Sequence, residues 1–216
     1  MKQKDLEMIL QKVPTYERPN PYIEQYTTPA NIAADIIFTA YRFNDIQDKK
    51  IVDLGCGTGI FSFGAKIANA KEVIGIDIDP DCIKIAKKYS EETNEEIEFI
   101  IQDVKNVDIK CDTVITNPPF GAQKSNRWAD RRFIEKGFEI SKVIYSLHLS
   151  KTISFIEKLI SSLNGEIDYE KNYLFPIKHT YFFHKKKAET VDITLLRILT
   201  NRSQTDSNIK SLSGIF

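Results

Sequence analysis

The stretch Lys49-Lys50-Ile51-Val52-Asp53-Leu54-Gly55-Cys56-Gly57-Thr58-Gly59 constrains this chain more than any other. A short apolar run comes first, then three glycines at alternate positions. Ile60, Phe63, Gly64, Ile67 and Ala68 follow at helical spacing, so the stretch reads as strand, tight turn and helix. A strand that is apolar on both faces and runs straight into a helix belongs in a mostly parallel sheet covered on both sides. The glycines let the chain turn sharply and let a ligand approach its backbone. Their spacing differs from the dinucleotide fingerprint, whose third glycine would fall at Ile60.

The rest of the chain repeats the alternation. Glu72 to Ile78 reads as a strand ending at Asp77, and Asp79-Pro80 caps a helix over Asp81 to Tyr89. Ile97 to Ile101 is a third strand, followed by Asp103, and Thr113 to Thr116 is a fourth, followed by Asn117. A helix over Ala129 to Ser141, a strand over Lys142 to Leu147 and a helix stopped by Asn164-Gly165 come next. Two strands, Glu166 to Phe175 and Glu189 to Leu199, close the pattern. Ahead of it all, Leu6, Ile9, Leu10 and Val13 mark a short amphipathic helix halted by Pro14. A second helix runs through Ile32, Ala33, Ile36, Ile37 and Ala40. Thr28-Pro29 is explained by an N-cap with proline in the first turn, unless Thr28 serves a ligand. The expectation is an α/β fold with a predominantly parallel sheet and helices on both faces.

Composition narrows the chemistry. The 30 basic and 30 acidic side chains cancel, so any nucleic-acid contact needs a local patch. Cys56, Cys82 and Cys111 are odd in number and far apart, which suits neither a disulfide framework nor a zinc site and points to a reducing cytoplasm. There is no run of 18 apolar residues, and the first dozen residues are too polar for a signal peptide. Residues 1–200 are expected to form a single domain, with an N-terminal helix and lid segment over 1–48; the Ser/Asn-rich 201–216 reads as a flexible tail.

Four strand ends carry the candidate site. Asp77, 24 positions after Asp53, can grip a ribose diol, or can simply be a charge near a helix start. Asp103 can accept a hydrogen bond from an adenine amino group. Asn117-Pro118-Pro119-Phe120 forms a stiff bend, since two prolines withdraw two donors and fix φ twice. The Asn117 amide and Pro118 carbonyl can then hold both hydrogens of a planar amino group while Phe120 stacks on its ring. The alternative is an ordinary turn with Phe120 in the core. His148, His179 and His184 lack metal-ligand spacing. Lys124, Arg127, Arg131 and Arg132 surround Trp128 just after the bend, and Lys185, Lys186 and Lys187 form a second basic cluster. Either cluster is a solvated face or a phosphate contact.

The pattern Asp-x-Gly-x-Gly-x-Gly resembles the nucleoside-binding loop of S-adenosylmethionine-dependent methyltransferases. With Glu24-Gln25-Tyr26-x-Thr28, Asn117-Pro-Pro-Phe-Gly121, Tyr145-Ser-Leu-His148 and His184-Lys-Lys-Lys187, the chain closely resembles the methyltransferase-like protein 5 family, from about the first helix to Leu199. The resemblance implies a Rossmann-like class I methyltransferase with a seven-stranded, mostly parallel sheet, acting on N6 of an adenosine in small-subunit ribosomal RNA. It implies that Gln25 and Thr28 close over the cofactor and that Asp53, Gly55, Gly57 and Thr58 line it. Asp77 and Ile78 would hold its ribose, and Asp103 and Val104 its adenine. Asn117, Pro118, Pro119 and Phe120 would take the target base. It further implies a small zinc-ribbon activator protein, which we expect on the edge strand 97–101.

Rival readings share the bend. A protein glutamine side chain is also a planar amide, DNA adenine and rRNA guanine also carry amino groups, and a non-catalytic RNA-binding or assembly factor could retain the fold.

Overall fold

The computed structural model describes residues 2–16, 27–119, 129–177 and 189–201. Its elements, in chain order, are α1 (Gln3–Leu10), α2 (Ala30–Arg42), β1 (Lys50–Leu54), α3 (Ile60–Ile67), β2 (Glu72–Asp77), α4 (Pro80–Thr93) and β3 (Glu98–Ile101). After these come β4 (Thr113–Thr116), α5 (Ala129–Ile140), β5 (Val143–Leu149), α6 (Ile153–Ser162), β6 (Glu166–Ile177) and β7 (Glu189–Leu199). One seven-stranded sheet runs β3-β2-β1-β4-β5-β7-β6. β1 to β5 are mutually parallel, and β7 lies antiparallel between β5 and β6. This is the expected Rossmann-like methyltransferase architecture.

Alternation along the central strands feeds two cores. Ile51, Ile115, Tyr145 and Leu147 point to the side of α1 to α4, where they meet Leu6, Leu10, Ile36, Ile37, Phe63 and Ile83. Val52, Leu54, Val114 and Ile144 point the other way, onto Ile134, Phe138, Ile156 and Ile160 of α5 and α6. Phe63 shows the tightness of the first layer. Its ring centroid lies 4.8 Å from that of Tyr89, edge-on, and 5.9 Å from that of Phe99. Truncating such a buried ring costs about 3–5 kcal/mol.

Polar links tie the N-terminal helices to the sheet. The Asp35 carboxylate on α2 accepts from Gln3 Nε2 at 3.0 Å, Lys171 Nζ at 2.7 Å and the Tyr173 hydroxyl at 2.6 Å. Just past the end of α2, both oxygens of Asp45 accept from the buried Arg197 of β7, at 2.8 and 3.2 Å. Arg197 also donates to the Tyr145 hydroxyl and to Asp168, and stacks over Phe43. An ion pair this enclosed is held by full hydrogen bonding rather than by charge alone.

Several boundaries differ from the sequence expectation. α4 continues past Tyr89 to Thr93, because Ser90-Glu91-Glu92 extends the helix until Asn94 turns left-handed at φ 56°. β6 runs on to Ile177 through Pro176, which an edge strand tolerates. Ile9, assigned to the apolar stripe of α1, is 40% exposed. Thr28 does not cap α2. Pro29 holds the N-cap position without a side-chain hydrogen bond, and the Thr28 hydroxyl has another partner. Asp79 does cap α4, accepting from the Asp81 N–H at 2.9 Å.

Candidate active site

Parallel register brings four strand ends level. Leu54 of β1 lies beside Ile76 of β2 and Thr116 of β4, and Asp77 of β2 beside Ile101 of β3. The residues that follow these ends therefore share one edge of the sheet, where ligands of open α/β folds bind.

The first end is the glycine loop. Gly55, Gly57 and Gly59 all adopt positive φ, at 72°, 54° and 94°, a region that excludes most side chains. The Gly55 and Cys56 N–H groups donate to the Ile76 carbonyl, which folds the loop over the end of β2. Asp53, one residue upstream of Leu54, is buried and turned toward α3. Its Oδ2 accepts from the Ser62 N–H at 2.9 Å and from the Ser62 hydroxyl at 2.6 Å, while its Oδ1 is buried without a partner. Burial pushes its carboxyl up to about 7, against the two Ser62 hydrogen bonds, with Asp77 adding a smaller push. Thr58 is buried at the foot of the loop.

Asp77 is bound into the same loop. Its Oδ2 accepts from the Gly57 N–H at 2.8 Å and its Oδ1 from the Asp79 N–H at 2.9 Å. Burial still raises its carboxyl above the usual range, outweighing those two hydrogen bonds. Asp103 sits differently, as the cap of a short 3₁₀ turn over Val104–Asn106. Its Oδ1 accepts from the Lys105 N–H at 3.0 Å, and its Oδ2 faces Lys105 Nζ at 3.2 Å. The Lys105 N–H holds its carboxyl below the usual range against partial burial; the Lys105 and Arg132 charges add to the effect.

Asn117, beyond β4, is held by one atom and open at another. Its Nδ2 donates to the Thr28 hydroxyl at 3.1 Å, while its Oδ1 is buried with no partner. Pro118 is buried and Pro119 half-buried. Gln25, Phe120, Lys124, Arg127, Lys185 and Lys186 lie outside the described residues. Arg131 and Arg132 are exposed on the first turn of α5. Arg131 pairs with Glu135 at 2.8 Å. A surface pair one helical turn apart is worth about 0.3–0.5 kcal/mol, so a phosphate could displace it. His148, two residues beyond the Ser146 that pairs with Thr116, is fully buried, with Nδ1 3.0 Å from Asp130 Oδ1 and Nε2 without a partner.

Three residues here escaped the sequence reading. Ile101, 56% exposed, joins Ile78, 57% exposed, as a second bare apolar side chain beside Asp77. The Phe133 ring of α5 lies 3.0 Å from where a Cβ on Gly55 would stand, and the Tyr16 hydroxyl covers Gly57. Only the doubled isoleucine ending β3 hinted at the first; the others come from distant segments. A nucleoside cofactor of the S-adenosylmethionine type fits this edge. The three glycines of the loop carry no side chains of their own, the Asp77 and Asp103 carboxylates flank it, Asp53 Oδ1 is a buried polar atom without a partner and the two isoleucines offer flat apolar contact. Among the described residues no cluster of His, Cys, Asp or Glu could hold a metal ion. No described helix is long and apolar enough to cross a membrane.

Comparison with known proteins agrees with this geometry. The methyltransferase small domain model matches residues 32–141. The rRNA N(6)-adenosine-methyltransferase METTL5 of Danio rerio is 35% identical, over 91% of this chain and 98% of its own. A crystal structure from Pyrococcus horikoshii, provisionally titled an RNA methyltransferase, superposes with a TM-score of 0.85 at 35% identity, covering 93% of this chain and 98% of that one. A Methanocaldococcus jannaschii protein provisionally named a protein N5-glutamine methyltransferase is 29% identical over 62% of this chain and 73% of its own. The chain belongs to the methyltransferase small domain family and, within it, to the family of METTL5 rRNA N6-adenosine methyltransferases.

Proposed function

We propose that this protein transfers a methyl group from S-adenosylmethionine to N6 of an adenosine in structured small-subunit ribosomal RNA. The observation that carries the reading is Asn117, whose Nδ2 is committed to Thr28 while its buried Oδ1 has no partner beside the nucleoside cradle. A buried acceptor left without a donor costs about 1–3 kcal/mol, which a substrate amine repays. S-adenosylmethionine, when bound, supplies a methyl group on a positively charged sulfonium.

The chain's own residues supply positioning. An adenine amine is a poor nucleophile because its lone pair is delocalised into the ring. Asn117 Oδ1 and the Pro118 carbonyl accept its two hydrogens, favour pyramidal nitrogen and aim the lone pair for in-line displacement. That requires orientation and fixed dipoles, with no titrating base. Phe120 stacks on the base, adding about 1–3 kcal/mol of binding. Asp77 and Ile78 hold the ribose, Asp103 and Val104 the adenine, and Gln25 and Thr28 close over the cofactor. Lys124, Arg127, Arg131, Arg132, Lys185 and Lys186 contact phosphates around one extruded adenosine. Extrusion costs a few kcal/mol, least in a loop or junction, so that is the preferred substrate.

The open edge of β3 supports a partner. Among the described residues β3 pairs only with β2, and Ile97, Glu98 and Phe99 line a groove of about 330 Å³ with Lys87, Ser90 and Glu91. A zinc-ribbon activator adds a strand here, in the cytoplasm. The odd, scattered cysteines support that compartment.

The test is transfer of radiolabelled methyl groups to purified ribosomal subunits, followed by mass spectrometry of nucleosides. N6-methyladenosine in small-subunit RNA is expected, and the Asn117→Ala variant should bind cofactor yet make none. Methylglutamine on a protein, with unlabelled RNA, would transfer the case to the glutamine reading. A chain that binds no cofactor in calorimetry would instead be an assembly factor.

A further inference from the structure

Tyr16 reaches the glycine loop from outside the sheet. It follows α1, which is anchored by buried Leu6, Leu10 and Val13, and Pro14 stiffens the turn between them. Its hydroxyl stands 2.3 Å from the position a Cβ would take on Gly57, with Cζ at 3.3 Å. Glycine at position 57 is therefore demanded twice: by the left-handed φ of 54° and by the phenol lying against it. The Gly57 N–H is the group that Asp77 Oδ2 accepts from, so the phenol lies beside the proposed ribose-holding carboxylate. Burial first, then the nearby Cys82, Asp77, Cys56 and Asp79 groups, hold the phenol well above its usual pKa. It is a neutral O–H donor at any working pH.

A ribose hydroxyl has one proton to give and two lone pairs to fill. When Asp77 takes the proton, the lone pairs need a donor from the protein side. Asp77 and Asp79 are carboxylates and the cysteines are weak donors; among the described side chains Tyr16 is a strong neutral donor beside them.

We propose that Tyr16 is a cofactor-site residue, its phenol donating a hydrogen bond to the ribose hydroxyl that Asp77 accepts from. This rests on the reading of Asp77 as the ribose ligand. Buried anchors on α1 hold the phenol in place before binding, so little ordering opposes the contact. The proposal also gives α1, which anchors the segment carrying Tyr16, a part in cofactor affinity.

The experiment is calorimetry on the full chain, wild type and Tyr16→Phe, with matched thermal melts to show equal folding. The probes are S-adenosylmethionine, S-adenosylhomocysteine and the homocysteine analogues lacking the 2′ or the 3′ hydroxyl. Tyr16→Phe should bind both intact compounds roughly threefold to tenfold more weakly, the worth of one neutral hydrogen bond. With one of the two deoxy analogues, wild type and variant should bind alike. Undiminished affinity in Tyr16→Phe overturns the proposal by reducing the phenol to packing, and tighter binding overturns it by making the phenol an obstruction. A loss that persists with both analogues overturns the ribose assignment. A wild-type chain that binds no S-adenosylmethionine overturns the methyltransferase reading itself, an outcome distinct from these.

Discussion

Replacing Asp53 by Asn should change how stability depends on pH. In the folded chain burial pushes this carboxyl up to about 7, whereas unfolded it ionises near 3.8. Between those values the native state keeps a proton that the unfolded state has released, so stability falls as pH rises. For this group the stability is fully present below pH 3.8 and is lost as pH climbs through about 7. A gap of about three units at about 1.4 kcal/mol each gives about 4 kcal/mol in all, of which about 2.5 kcal/mol falls between pH 5 and 8. Asp53→Asn keeps an acceptor for the Ser62 N–H and hydroxyl but no longer titrates. Its Nδ2 would inherit the buried position of the partnerless Oδ1, costing about 1–3 kcal/mol at every pH. The absolute shift is therefore mixed, and the slope is the clean readout. Urea unfolding from pH 5 to 8 should give a curve flatter than wild type by about 2–3 kcal/mol for the variant. Parallel curves would refute the claim that Asp53 is protonated in the fold by burial.

Other outcomes follow from the same geometry. Asp77→Ala should weaken S-adenosylmethionine binding by roughly one to two decades in calorimetry, since hydrogen bonds to a charged group are worth about 1.5–3 kcal/mol. Thr28→Val should free the Asn117 amide and slow methyl transfer roughly threefold to tenfold, the value of one lost hydrogen bond. If Thr28 also touches the cofactor, affinity falls with the rate; unchanged kinetics would remove it from both roles. Arg197→Ala should cost about 3–5 kcal/mol in denaturant unfolding, because it leaves Asp45 buried and unpaired. A loss below about 1 kcal/mol would mean that water reaches the cluster. Arg131→Ala or Arg132→Ala should weaken RNA binding and flatten its salt dependence without altering cofactor affinity, as filter binding at several salt concentrations can test.

Local rules determined much of this protein. Two-faced apolar strands, the alternating glycines and the Asp79-Pro80 cap are short-range signals. They led to a mostly parallel sheet, a tight glycine turn and the start of α4, and all three appear in the structure, the turn with its glycines in the left-handed region. Because ligands of such sheets gather at strand ends, Asp77, Asp103 and Asn117 could also be picked out from their positions after apolar runs. What each side chain bonds was decided elsewhere. Thr28 reads locally as a cap, yet it lies 89 positions from the Asn117 amide that it meets. Asp53 reads as a ligand-loop acid, yet its bonds go to Ser62, and burial keeps its carboxyl from ionising as an exposed acid would. Tyr16 and Phe133 carry no signal at all, since each approaches the glycine loop from a different layer of the fold. Backbone conformation depends on neighbours along the chain, and so can be read from the sequence. Hydrogen-bond partners and desolvation depend on neighbours in space, and those exist only once the helices have packed on the sheet.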